Sequence, residues 1–321
     1  MRRTNLFAVI FHVVLLGAVI HAQSNPFSGK KLYVDPNSTA RRQADTWKQS
    51  RPADAALLQQ IASQPVARWL GGWVTDIGRE VNQAVQTITS AGALPVFVAY
   101  NIPGRDCGSY SAGGAGSADA YRRWIRDLAS GIRGRSAIVI LEPDALAGMD
   151  CLNAAGRQQR VAMIQEAVVA LEAQNASVYI DAGNARWHSP EVMAARLTQA
   201  GIAQASGFAL NVSNFQATSI NVAFGERLSR LVGGKHFVID TSRNGIPLTD
   251  ASQWCNPRGR ALGLAPTTNT GHPLIDAFLW VKQPGESDGT CGGGPQAGNW
   301  WAVYALELSR LAATLTGVTT N

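Results

Sequence analysis

A parallel β/α barrel, closed or nearly closed, is the fold this sequence predicts. Three observations carry it. Apolar, β-rich runs recur along the chain, longer stretches with helical spacing separate them, and about seven such runs fall in a chain of 321 residues. Strands alternating with helices imply parallel pairing through right-handed crossovers. Around seven units in this length suit one barrel better than two domains.

The runs are Val66–Leu70, Leu94–Tyr100, Ala137–Leu141, Ser177–Ile180, Gly207–Asn211, His236–Ile239 and Ala277–Val281. Between them, apolar residues at helical spacing mark the crossovers: Val81, Ala84, Ile88 and Ala91, then Tyr121, Trp124, Ile125 and Leu128. Val161, Ile164, Ala167, Val168 and Leu171 mark a third, Leu228 and Leu231 a fourth, and Trp301, Tyr304, Leu308 and Leu311 close the chain. Ala137–Leu141 reads as a strand buried on both faces. It breaks at Pro143. The residue before a proline is driven to extended backbone, so Glu142 is expected to close the strand. Asp144 then projects from the loop at the strand's carboxyl end, the edge where α/β sheets bind ligands. Taken alone, an Asp after Pro is equally ordinary turn chemistry.

Composition restricts the class. At 46% hydrophobic and 16% charged the chain is an ordinary folded protein. Arg2 and Arg3, the apolar stretch Leu6–Ile20 and Ala22 read as an export signal over residues 1–22, with one domain, 23–321, after it. A secreted or periplasmic protein is expected. Removing the signal takes away two Arg and no acid, lowering the net charge from +6 to +4. The basic residues are scattered, so neither a nucleic-acid partner nor a membrane partner is expected. Cys107, Cys151, Cys255 and Cys291 come after an export signal and form no close CxxC pair. Two disulfides are therefore expected rather than a metal site, and three connectivities are open.

The chemistry lies in the segments just beyond each run. Asp106, Asp144, Asp181, Asp240 and Asp288 all sit at or just past strand ends, and a barrel brings those ends to one face. One such Asp is usually a cap; five suggest a shared cleft. Crowded carboxylates raise one another's pKa and keep one protonated, as glycosidic cleavage requires. No GxSxG, GxxxxGK[ST], GxGxxG in the right context or HExxH is present. His188 and His272 read as structural or surface residues. Trp69, Trp73, Trp187 and Trp254 fall at strand ends or in loops, where indoles can stack on sugar rings; Trp124, Trp280 and Trp301 are assigned to packing.

Six ordered stretches carry a resemblance: Tyr100–Gly108 (YNIPGRDCG), Leu141–Leu146 (LEPDAL), Asp181–Ser189 (DAGNARWHS), Ile239–Gly245 (IDTSRNG), Trp254–Gly263 (WCNPRGRALG) and Trp280–Gly289 (WVKQPGESDG). From about Asn25 onward the chain resembles the catalytic domains of glycoside hydrolase family 6, the inverting cellulases. The resemblance implies a distorted, incompletely closed β/α barrel acting on β-1,4-glucan or cello-oligosaccharides without a metal or organic cofactor, as a monomer. It implies Asp144 as general acid, Asp106 as the carboxylate that helps activate water, and Asp288 as the disputed base, which a water relay to Asp106 would replace. It places Tyr100 under the distorted sugar, Lys282 and Glu286 on glycone hydroxyls, Trp69 and Trp254 as glycone platforms and Trp187 on the leaving-group side. Asp181, Asn184 and Asn214 complete the expected binding set, with Arg105, Ser111, Asp240 and Arg243 supporting. Many members carry His where this chain has Asn184. The implied disulfides are Cys107–Cys151 and Cys255–Cys291. The compact loops after Asp106 and Asp288 lead to an expected open cleft and internal (endo) attack. An exo-acting cellobiohydrolase and a non-catalytic glucan-binding protein are the alternatives.

Overall fold

The computed structural model describes residues 24–315; the export segment expected at residues 1–22 lies outside them. Within them the strands are β1 (Lys31–Leu32), β2 (Arg68–Leu70), β3 (Ala93–Leu94), β4 (Val96–Ala99), β5 (Ala137–Leu141), β6 (Ala176–Asp181), β7 (Gly207–Leu210), β8 (His236–Asp240) and β9 (Ile275–Leu279). The helices are α1 (Thr39–Trp47), α2 (Pro52–Ala62), α3 (Ile77–Ser90), α4 (Ala118–Ile132), α5 (Ala154–Glu172), α6 (Pro190–Gln199), α7 (Thr218–Leu231) and α8 (Ala302–Leu315).

Seven strands form one sheet in the order β2-β4-β5-β6-β7-β8-β9, every neighbouring pair parallel. The two edge strands do not pair, but they meet at a seam. Ala67 N donates to Trp280 O at 3.0 Å, and the Trp69 indole donates to Val281 O at 2.8 Å. The sheet is thus a curled, incompletely closed barrel.

Alternation along each strand sorts the core, because successive side chains face opposite sides of a sheet. Val98, Ile140, Tyr179, Ala209, Val238 and Ala277 fill the barrel interior. Phe97, Val139, Val178, Phe208, Phe237 and Ile239 face the helices. Each Val, Ile or Phe among them contributes roughly 1.5–3 kcal/mol when fully buried. The same parity aims Asp181, two residues after Tyr179, and Asp240, two after Val238, toward the barrel axis. α1, α2 and α8 build a third cluster around Leu58, Trp280 and Tyr304. Helix starts are capped from the sequence: Ser117 Oγ accepts from Ala120 N, and Asn153 Oδ1 from Gly156 N.

Two expectations need correction. The run Leu94–Tyr100 is not one strand. Pro95 lacks an N–H for the ladder, and the run divides there: β3 pairs with β1, while β4 enters the main sheet. Glu142 does not extend β5. The strand ends at Leu141, and Glu142 has φ +50°, in the left-handed region. Its carboxylate turns back to accept from the N–H groups of Asn101 and Ile102, each at 3.0 Å. Those buried bonds outweigh the local preference of a pre-proline residue.

Candidate active site

The loops after the strands converge on a cleft of about 1790 Å³ at the carboxyl end of the sheet. Asp106, Asp144 and Asp288 line it, as do Tyr100, Lys282 and Glu286. The four loop tryptophans, Asn184 and Asn214 share that wall, together with Arg105 and Ser111. Asp181, Asp240 and Arg243 lie beneath it, each at most 1% exposed.

Asp144 follows Pro143 with φ +67°. Its N–H donates to Asp181 Oδ1 at 2.9 Å, which fixes the turn over the barrel mouth. Burial, then the charges of Asp181, Asp106 and Asp288, hold its carboxyl well above the ordinary carboxylate range. Its residue surface is half-buried whereas the carboxyl is enclosed by neighbouring atoms; the enclosure is what governs its ionisation. Burial likewise raises Asp181 to about 7, against the N–H groups of Asp144 and Gly183. Its second oxygen, Oδ2, is buried without a hydrogen-bond partner. These acids share fewer than their full set of negative charges near neutral pH.

Asp106 sits in a short 3₁₀ turn next to Cys107. Ser111 N donates to its Oδ2 at 2.6 Å, and Oδ1 takes none of the described hydrogen bonds. Burial raises this acid too, opposed by Ser111 and Arg105. Asp288 is held differently. Arg243 Nη1 contacts both its oxygens, at 2.9 and 3.0 Å, and Asn256 N donates to Oδ2 at 3.1 Å. Asp240 accepts from the N–H groups of Ser213, Ser242 and Lys282, tying three strand-end loops together. Burial still raises it.

The aromatic walls are oriented by neighbours. Trp69 is pinned by its bond to Val281 and stands edge-on to Tyr100, ring centroids 5.2 Å apart. Lys282 lies 5.8 Å above the Trp69 ring and 3.5 Å from Glu286. Trp73 and Trp187 are exposed, at 55% and 42%; Arg105 lies over the Trp73 ring at 5.4 Å, and Trp187 stacks on His188. Trp254 is half-buried and meets Tyr110 edge-to-face. Asn184 Oδ1 accepts from Arg186 N at 3.0 Å, which orients the amide, and its nitrogen takes none of the described hydrogen bonds. Trp124 and Trp280 are buried in the core, while Trp301 is half-buried against Tyr304. The cysteines pair as Cys107–Cys151 and Cys255–Cys291.

Two residues escaped the sequence reading. Arg160 lies 3% exposed on α5, and its guanidinium donates to the carbonyls of Pro103, Gly104 and Ala145. A signal existed, because position 160 shares the apolar stripe of Ile164, Ala167 and Leu171. Asn256 is 1% exposed; it trades backbone and side-chain bonds with Asp288 and donates Nδ2 to Gly289 O at 2.7 Å. Only its place inside the Trp254–Gly263 stretch marked it.

The model of the glycosyl hydrolases family 6 matches residues 27–312, which take in every strand from β1 to β9 and all the carboxylates above. The chain belongs to this family. Endoglucanase A of Cellulomonas fimi is 47% identical over 290 residues, covering 89% of this chain and 62% of that protein. Endoglucanase 1 of Streptomyces halstedii is 43% identical over 301 residues, 90% of this chain and 91% of its own. Among solved structures, the endoglucanase Cel6 of Mycobacterium tuberculosis, in complex with methyl-cellobiosyl-4-deoxy-4-thio-β-D-cellobioside, superposes with a TM-score of 0.86 at 46% identity. That match covers 90% of this chain and 99% of that one. This family 6 chain therefore spans less than two thirds of the Cellulomonas enzyme and nearly all of the solved one.

Proposed function

We propose that this protein is an inverting endo-β-1,4-glucanase that hydrolyses internal bonds of cellulose and related β-glucans. The observation that carries the reading is the place of Asp144: a carboxyl at the mouth of a cleft walled with indoles, enclosed beside three other acids that, with burial, raise it well above the ordinary carboxylate range. Its endoglucanase relatives and the thio-oligosaccharide bound by the Mycobacterium enzyme support the choice of substrate.

Asp144 donates its proton to the glycosidic oxygen as the bond to the anomeric carbon breaks, while a water attacks from the opposite face. The water's proton passes through a second water to Asp106, whose Oδ1 is open and whose basicity is raised by burial. The Arg243 pairing supports this route over direct transfer to Asp288. Protonating Asp288 would neutralise half of a buried ion pair and leave Arg243 uncompensated, a loss of several kcal/mol. Asp288 then serves to orient the water. We further read the protein as an exported monomer with its catalytic domain over residues 23–321.

Incubation with cello-oligosaccharides, with product anomers followed by NMR, tests the reading. Inverted α-anomers released from internal positions are expected. The Asp144→Asn variant should lose at least about 10³-fold in turnover while still quenching tryptophan fluorescence on binding cellotetraose. Retained anomers, or near-normal turnover in that variant, would remove Asp144 from the mechanism.

A further inference from the structure

Trp187 is 42% exposed on the cleft wall, yet its benzo ring is seated. A Cβ built on Gly183 would lie 3.3 Å from Trp187 Cε3, and one on Gly148 would lie 3.6 Å from Cζ2. The indole thus rests on two strips of backbone that carry no side chain to lift it. Gly183 has φ +68°, a conformation that glycine adopts without strain. Gly148 belongs to the turn that begins at Asp144, since its N–H donates to Asp144 O at 2.7 Å. The platform therefore leans on the same turn that presents the proposed acid.

His188 supplies what the glycines cannot, a fixed plane for the indole. Its ring lies nearly parallel to that of Trp187, with 18° between planes and 6.1 Å between centroids, an offset stack. Its Nε2 is 2.8 Å from Ala147 O; a carbonyl only accepts, so this nitrogen carries the proton. Arg196 Nη1 donates to the same carbonyl at 2.9 Å and to Leu146 O at 2.8 Å, while Nη2 donates to Asp150 Oδ1 at 2.6 Å. Asp150 Oδ2 lies 3.5 Å from His188 Nε2. The imidazole is thus clamped at one edge against residues 146–150, the stretch that leads from Asp144 into Cys151 and its disulfide. A side chain that merely tied two loops together would need the N–H and not the parallel ring. His188 itself is absent from the cleft wall, whereas Trp187 is part of it.

We propose that His188 is a positioning residue for the leaving-group half of the substrate. It holds the Trp187 plane in register with Asp144, so that a sugar stacked on Trp187 presents its glycosidic oxygen to the acid. The inference rests on the glucanase reading above, and His188 acts through Trp187 rather than by touching the sugar. Its contribution therefore depends on the leaving group. A sugar leaving group uses the platform; a fluoride ion, small and readily expelled without protonation, does not.

The test compares wild type, His188→Ala, Trp187→Ala and the double variant on cellopentaose, and the first two also on β-cellobiosyl fluoride. Losing one ring contact and one hydrogen bond should lower kcat/KM on cellopentaose about 5- to 20-fold in His188→Ala. Hydrolysis of the fluoride by that variant should stay within about 2-fold of wild type, because the lost interaction serves only a leaving group that reaches Trp187. In the Trp187→Ala background, the His188→Ala step should cost less than about 2-fold on cellopentaose, the non-additivity of residues that act as a unit. Equal losses on both substrates, as a damaged fold would give, overturn the inference. So does an undiminished rate on cellopentaose, or a fully additive loss in the double variant. Wild type inactive on cellopentaose would instead overturn the glucanase reading, a result distinct from the others.

Discussion

Replacing Asp181 with Asn removes a buried charge beside the proposed acid while keeping its shape and its acceptor for the Asp144 N–H. In the native protein Asp181 sits at about 7, and its charge stands first, after burial itself, among the causes that raise Asp144. Like charges ~4–6 Å apart, at an effective dielectric constant of ~20, repel by about 3–4 kcal/mol. At ~1.4 kcal/mol per pH unit this equals roughly 2–3 units. Because the two groups titrate together, kinetics report the pair rather than either residue. The alkaline limb of kcat/KM, where the general acid loses its proton, is expected to move down by about 2 pH units in Asp181→Asn. Initial rates on cellopentaose across about pH 4–9 measure it. Stability should respond with the matching sign. A carboxyl whose folded pKa is raised stabilises the native state at acid pH, and that contribution is lost as pH rises from the ordinary 3.8 through about 7. The variant lacks this titration, so its melting temperature should fall less over that interval. An alkaline limb that stays in place or moves upward would refute the reasoning.

Two more outcomes concern the other supports of the site. Arg243→Met strands Asp288 as a buried charge and should cost roughly 3–5 kcal/mol in urea unfolding, with much of the loss recovered when Asp288→Asn is added; a loss below about 1 kcal/mol would mean that the pair is solvated. Opening the Cys107–Cys151 bridge with the Cys107→Ser/Cys151→Ser double variant frees a loop of sequence separation 44 and should cost about 4 kcal/mol in the same assay, along with turnover, because Asp106 adjoins Cys107.

Much of this architecture is written at short range. The β5 run is apolar at every position and matches the observed strand to the residue, since a strand buried on both faces needs no alternation. The crossover helices α3, α4 and α5 are legible because each buries one stripe, as Val81, Ala84 and Ile88 do on α3. α1, α2 and α6 give weaker signals. α1 buries only Ala40 and Ala44, and α6 packs a brief apolar face of Met193, Ala194 and Leu197, so their patterns are short. The proline that opens α2 and α6 at the first helical position reads from sequence alone as a breaker. The carboxylates stand out because strand ends are locatable. Arg160 and Asn256 do not, since their work is to bond backbone atoms distant in sequence.

The Glu142-Pro143-Asp144 stretch shows how local chemistry and distant packing divide the work. Both acids have positive φ, a conformation that costs of order 1–3 kcal/mol each and persists only where surroundings enforce it. For Glu142 the enforcement comes from the Asn101 and Ile102 N–H groups; for Asp144 it is the Asp181 carboxylate. Glu142 is itself raised to about 7 by burial, opposed by those same N–H groups, and would look on titration alone like a second candidate acid. Geometry separates the two. Both Glu142 oxygens are bound to the loop that leads to Asp106, whereas the Asp144 carboxyl lines the cleft. Arg160 completes the tie by bonding Pro103 and Gly104 on one loop and Ala145 on the other. A glutamate facing backbone donors and an arginine facing backbone carbonyls thus staple together the two loops that present Asp106 and Asp144. The spacing between the proposed proton donor and the proposed water-activating carboxylate is set by these backbone bonds, not by contacts between the two carboxyls.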